Sequence, residues 1–80
     1  MKEVKYQVTL FCSTGQYKPI SCIVIMKQEE TAINLLNTKE TRKEITNKGI
    51  IKICQKRYWT KQNLLNYQYL KVKARKIEEG

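Results

Sequence analysis

Val4-Lys5-Tyr6-Gln7-Val8-Thr9-Leu10-Phe11-Cys12 sets Val4, Tyr6, Val8, Leu10 and Cys12 on one side and Lys5, Gln7, Thr9 and Phe11 on the other. A strict period of two, rich in β-branched and aromatic residues, describes a half-buried strand, here spanning residues 3–12. The stretch after it, Ser13 to Pro19, is turn-forming, and Gly15 can adopt positive φ without steric cost. Ile20 to Met26 is apolar at most positions, and Pro19 suits the start of a strand, where a missing N–H matters least. The two runs predict an antiparallel hairpin.

Gln28 to Lys48 is polar and helix-prone, with Ala32, Leu35 and Leu36 as an apolar stripe and Ile45 further on. Thr41 and Glu44 have capping-box spacing. We expect a helix at 39–48 and leave residues 31–36 open between helix and strand. Gly49 after Lys48 reads as a helix stop, with the cation suited to the C-terminal dipole. The β-branched run Ile50-Ile51-Lys52-Ile53-Cys54 then reads as a third strand. Thr60 can cap a short helix over 61–66 whose Leu64 and Leu65 would face the core. Residues 67–77 alternate again, Leu70, Val72 and Ala74 against Tyr69, Lys71, Lys73 and Arg75. The expected order is β-β-α-β-(short α)-β: one α+β domain over residues 1–80, a two-layer sandwich with a largely antiparallel sheet and helical cover on one face.

The chain has 80 residues and a net charge of +9, and its seven acidic residues are all Glu. The charge is not spread evenly. Residues 48–77 carry nine basic side chains and no acidic one, whereas residues 1–47 carry seven basic and five acidic. Tyr58, Trp59, Tyr67 and Tyr69 lie in the same basic stretch. Cations neutralise phosphates and release counterions, and aromatic faces stack on unpaired bases. The pattern therefore nominates Lys52, Lys56, Arg57, Lys71, Lys73 and Arg75 for phosphates, with Trp59 and Tyr69 for stacking if exposed. The competing account is structural: Lys on an exposed strand face keeps that strand from pairing with other chains, and Trp and Tyr fill a small core.

Several functions are disfavoured. With no His and no Asp, the chain lacks the usual metal ligands and the usual base of a catalytic triad. Gly15, Gly49 and Gly80 form no phosphate-cradling motif, so no cofactor is expected. We expect a binding protein and not an enzyme. Cys12, Cys22 and Cys54, each in an apolar run, read as buried free thiols. On a strand, Lys52 and Lys56 would project to the same side as Cys54, the one electropositive thiol environment the sequence offers. An odd, unpaired set of thiols, with no secretion-type apolar segment near the N-terminus, points to the cytoplasm. The longest apolar run, Ile23 to Met26, is far too short to span a membrane.

The string Gly49-Ile50-Ile51-Lys52-Ile53-Cys54-Gln55-Lys56-Arg57-Tyr58-Trp59-Thr60, then Leu64, Tyr67, Tyr69, Lys71, Val72, Lys73 and Arg75, joins Thr9, Cys12, Thr14-Gly15 and Tyr17-Lys18-Pro19 upstream. Together they resemble small uncharacterised proteins encoded by phages and integrated mobile elements of low-GC Gram-positive bacteria. The resemblance implies a setting, a cytoplasmic accessory protein of such an element, and transfers no site residue. Two partners follow from the sequence. One is single-stranded or structured nucleic acid on the 48–77 surface. The other is an acidic host or phage protein bound by a regulator or inhibitor. An exposed sheet edge or apolar patch near Tyr17 and the first hairpin, or a homodimer, would favour the second.

Overall fold

Strand β1 (Lys2–Cys12) runs down the middle of the molecule, with β2 (Ile20–Gln28) on one side and β3 (Tyr69–Glu79) on the other. The computed structural model describes residues 2–28 and 39–79. Both pairings are antiparallel, in the order β2-β1-β3, with Val8 opposite Cys22 and Ala74. The hairpin, its Gly15 turn at φ +73° and the alternation of β1 are as the residues predict. Helix α1 (Lys39–Arg57) lies across one face of the sheet, and the short α2 (Lys61–Asn66) packs against β3. The chain is thus an α+β sandwich of two layers. Among the described residues no helix is long and apolar enough to cross a membrane.

The middle of the chain departs from the expected order. Residues 50–54 are not a third strand; α1 continues through them and through Gly49 without a break. Thr41 lies inside α1 and so does not cap its start. The reason is tertiary. Ile45, Gly49 and Ile53 are spaced by four and form one buried helical stripe facing β1. A Cβ on Gly49 would stand 2.5 Å from Cβ and Cγ1 of Val8. Glycine here does not end a helix but lets the helix rest on the central strand. Two buried clusters flank this contact. Val4, Tyr6, Val8, Val24, Met26 and Ile45 form one, and Leu10, Ile20, Ile53, Leu64 and Tyr69 the other. Burial of this face outweighs the weak helix propensity of three isoleucines, a few tenths of a kcal/mol each. The open choice at 31–36 lies outside the described residues.

Helix α1 ends at Tyr58, which takes the left-handed conformation at φ +56°. The Trp59 N–H donates to the Cys54 carbonyl at 2.9 Å, and the Tyr58 N–H reaches the Gln55 carbonyl at 3.4 Å. This is the Schellman pattern, with tyrosine where glycine is usual. Thr60 then caps α2 as expected, through a reciprocal capping box in which the Asn63 amide oxygen accepts from the Thr60 N–H at 2.7 Å. Leu64 enters the core, but Leu65 does not.

Strand β3 corrects the sequence pattern once more. Its pairing with β1 slips between Phe11 and Cys12, where Leu70 is the extra residue of a bulge. A bulge reverses which side chains face inward. Tyr69 therefore joins Val72 and Ala74 on the core side, while Leu70, assigned to the core by simple alternation, is 58% exposed.

Two stability measurements follow. Gly49→Ala will destabilise the protein by about 1–3 kcal/mol in urea unfolding, overriding the ~1 kcal/mol that alanine gains over glycine in a helix. Combined with Val8→Ala, which removes Cγ1 and Cγ2 but leaves the Cβ contact, its cost will fall somewhat below the sum of the two single changes; a combined cost above that sum would refute the close approach. Tyr58→Gly, by removing a left-handed non-glycine residue, will raise stability by about 1 kcal/mol, and an unchanged or lower unfolding midpoint would refute the strained cap.

Candidate nucleic-acid interface

The second face of the sheet is where alternation sends the residues that the core does not take. Among the described residues, no helix lies on it. The central strand contributes Lys5, Gln7, Thr9 and Phe11. From β2 come Ser21, Ile23, Ile25 and Lys27, and from β3 come Lys71, Lys73 and Arg75. The β1–β3 register sets Phe11 opposite Lys71, Thr9 opposite Lys73 and Gln7 opposite Arg75. Cations on β3 thus border a polar and aromatic row on β1.

These side chains meet. The Arg75 Nε–H donates to the Gln7 side-chain oxygen at 3.0 Å. The Lys73 ammonium lies 5.9 Å from the centre of the Phe11 ring, within cation–π range. Gln7, Thr9, Phe11, Lys73 and Arg75 line a shallow hollow of about 310 Å³. Lys5 and Lys27 lie further along the face, each with a glutamate opposite it in the register, Glu78 and Glu3. Between α1 and β3, a second groove of about 540 Å³ is lined by Arg42, Lys43 and Thr46 of α1 and by Val72, Lys73 and Ala74 of β3.

The eight residues nominated from sequence separate into three places. Lys71, Lys73 and Arg75 come together on the open sheet face. Arg57, Trp59 and Tyr69 belong to an aromatic group where β2 begins and β3 begins, together with Tyr17 and Tyr67. Lys52 and Lys56 flank β2 from α1. The Lys52 ammonium donates to the carbonyl of Ile23, so it is engaged with the sheet edge. Burial pushes the Cys22 thiol up against the lowering pull of Lys52 and Lys56, and that thiol donates to the Gly49 carbonyl at 3.4 Å.

Tyr69 cannot stack on a base from its position. It is buried, and its hydroxyl, its pKa raised by that burial, donates to the Lys18 carbonyl at 2.8 Å. Trp59 is half-buried and stacks on Tyr67 at 5.2 Å and 21°. Phe11 and Gln7 were not nominated from sequence, although their outward places in the alternation of β1 were legible. The available signal was an aromatic ring at an outer position of a half-buried strand, beside a cationic strand that only the sheet order brings next to it.

The cysteines also differ from expectation. All three are free thiols and half-buried, not fully buried. Cys54 sits on a helix, where residues two apart diverge, so Lys52 and Lys56 do not share its side. Cys12 is the distinctive one. Its thiol lies 3.1 Å from the Thr14 hydroxyl, and a hydrogen bond from that hydroxyl to the thiolate, the largest cause, brings its pKa down to about 7. Burial opposes it as the next-largest effect, and the backbone groups of residues 17, 14 and 16 lower it further.

Compared with protein-family models, curated proteins and solved structures, the chain matches none.

Iodoacetamide alkylation of Cys12, followed by mass spectrometry, will show a half-maximal rate near pH 7, because the thiolate is the reacting form. Thr14→Val will move that midpoint toward the ordinary thiol value; an unshifted profile would remove Thr14 as the cause.

Proposed function

We propose that this chain is a binding protein and not an enzyme, and that its open sheet face takes single-stranded or structured nucleic acid. One observation carries the reading. Lys5, Lys27, Lys71, Lys73 and Arg75 share one sheet face with Phe11, Gln7 and Thr9, and the cations of β3 border the aromatic and polar row directly. Phosphates find cations along β3, a base finds the Phe11 ring, and base edges find the Gln7 amide and Thr9 hydroxyl. A flat sheet face suits splayed, unpaired bases better than the grooves of a duplex, which take a helix or a two-stranded ribbon. A cytoplasmic location agrees with three free thiols. The setting as an accessory protein of a phage or mobile element rests on the resemblance described above.

A second reading has one observation in its favour. Ile23 and Ile25 are 37% and 51% exposed on β2, beside Lys27, at a sheet edge that no other strand pairs among the described residues. Such an edge suits a regulator or inhibitor that docks an acidic protein, with electrostatics chiefly speeding association.

Fluorescence anisotropy with single-stranded DNA, RNA and duplex, at about 50 and 200 mM salt, separates the two. Under the first reading single strands bind more tightly than duplex, and the Lys71/Lys73/Arg75→Glu variant weakens binding. The salt slope then falls by about 0.7 for each phosphate that the variant leaves without a cation. Phe11→Ala costs about 1–3 kcal/mol of affinity for single strands. Equal binding to any polyanion, with Phe11→Ala silent, would overturn this reading in favour of an acidic protein partner.

A further inference from the structure

The aromatic group beside the hairpin loop makes a second site. The left-handed turn at Tyr58 folds Trp59 back beneath the end of α1. There its ring stacks on Tyr67, and Tyr17 meets Tyr67 edge-on at 5.2 Å and 88°. Tyr69 lies tilted against both Trp59 and Tyr17, at 6.3 and 6.4 Å. Its hydroxyl bond to the Lys18 carbonyl ties the loop to β3. The rings surround a hollow of about 490 Å³, also lined by Lys18 and Arg57. Arg57 is already placed over the Trp59 ring, 5.2 Å from its centre.

Four rings packed together in so small a protein account for part of a core, but this group is not sealed. Tyr17 is 42% exposed and Tyr67 37% exposed, and Lys18 and Arg57 are both in solvent. Among the described residues, no acidic side chain lines the hollow. That charge selects among flat ligands. Aromatic boxes that take quaternary ammonium ions gain from a cation meeting ring faces, whereas two resident cations repel one. Rings with Arg and Lys beside them fit a flat unsaturated group carrying an anion. By backbone register the hollow lies at the end of the strip, since Cys12 pairs with Tyr69 just beyond the Phe11–Lys71 pair, but the Tyr69 ring is on the helix side of the sheet, so a bound strand must pass around this end of the sheet to enter it.

We infer that this hollow holds one unpaired nucleotide at or near the end of a bound strand, its base against Tyr17 and Tyr67 and its phosphate on Arg57 and Lys18. The inference rests on the reading of nucleic acid as the ligand. It gives Arg57 and Trp59 a shared role at one terminus of the path, separate from the cations of β3.

Trp59 is the single tryptophan, so its fluorescence reports on the hollow directly. The full chain is titrated with nucleoside monophosphates, with inorganic phosphate, and with a long single strand. Nucleoside monophosphates will change the Trp59 emission saturably, and inorganic phosphate will not reproduce the change. Tyr17→Ala, with unaltered circular dichroism, will weaken monophosphate binding about tenfold, within the range expected when one base–ring stack is removed, and Arg57→Gln will weaken it by removing a phosphate contact. The Lys71/Lys73/Arg75→Glu variant will bind monophosphates as the wild type does while losing affinity for the long strand. A monophosphate response that is absent, matched by inorganic phosphate, or unchanged in both single variants overturns the pocket, even where long-strand binding survives. Conversely, a triple variant that keeps full long-strand affinity overturns the sheet-face reading and leaves the pocket standing.

Discussion

The contact of Gly49 with Val8 governs how the two layers of this protein meet. A side chain at position 49 would hold α1 away from β1 along its length, because Ile45 and Ile53 flank Gly49 one turn to either side. Without that side chain the helix backbone approaches the central strand, and each isoleucine reaches its own buried cluster. The carbonyl of the same glycine accepts the Cys22 thiol proton, tying α1 to β2 at the seam between the clusters. A glycine inside a helix costs roughly 0.5–1 kcal/mol. Here that cost is offset by packing on both sides of it.

With one face of the sheet closed by α1, the other is left for charge. The division is sharpened by the bulge at Leu70. Were β3 to alternate without interruption, Tyr69 would stand outward beside Lys71 and the core would lose the ring that hydrogen-bonds the hairpin loop. The bulge turns Tyr69 inward, exposes Leu70, and keeps Lys71, Lys73 and Arg75 aligned with Phe11, Thr9 and Gln7. One inserted residue thus separates two surfaces, a cationic face with a phenylalanine and an aromatic hollow at its end.

Much of this was legible in the residues. The alternation of β1, the turn around Gly15, the cap at Thr60 and the cationic outer row of β3 all rest on local chemistry, and the structure agrees with them. What local chemistry could not convey was contact between distant segments. Gly49 reads the same in sequence at a helix stop and at a helix crossing; only Val8, far away along the chain, distinguishes them. The isoleucines at 50, 51 and 53 favour a strand by propensity, and only Ile53, two turns on from Ile45, has the spacing of a helical stripe. Tyr69 reads as outward because a bulge breaks the period of two without leaving a glycine to mark it. Phe11 reads as outward-facing and is, but its neighbours on β3 depend on sheet order.

The central position of β1 also has a kinetic meaning. Its pairing with β2 closes only the short loop of residues 13–19, whereas its pairing with β3 must wait for a loop that holds both helices. Closing a longer loop adds little to the final free energy but delays the event. A chain in which only β1 and β2 had paired would present the unpaired N–H and C=O groups of the far edge of β1 to other partners. The strand that ends this exposure is the one that carries Lys71, Lys73 and Arg75. The cations therefore meet the Phe11 ring only through the pairing that closes the longer of the two loops.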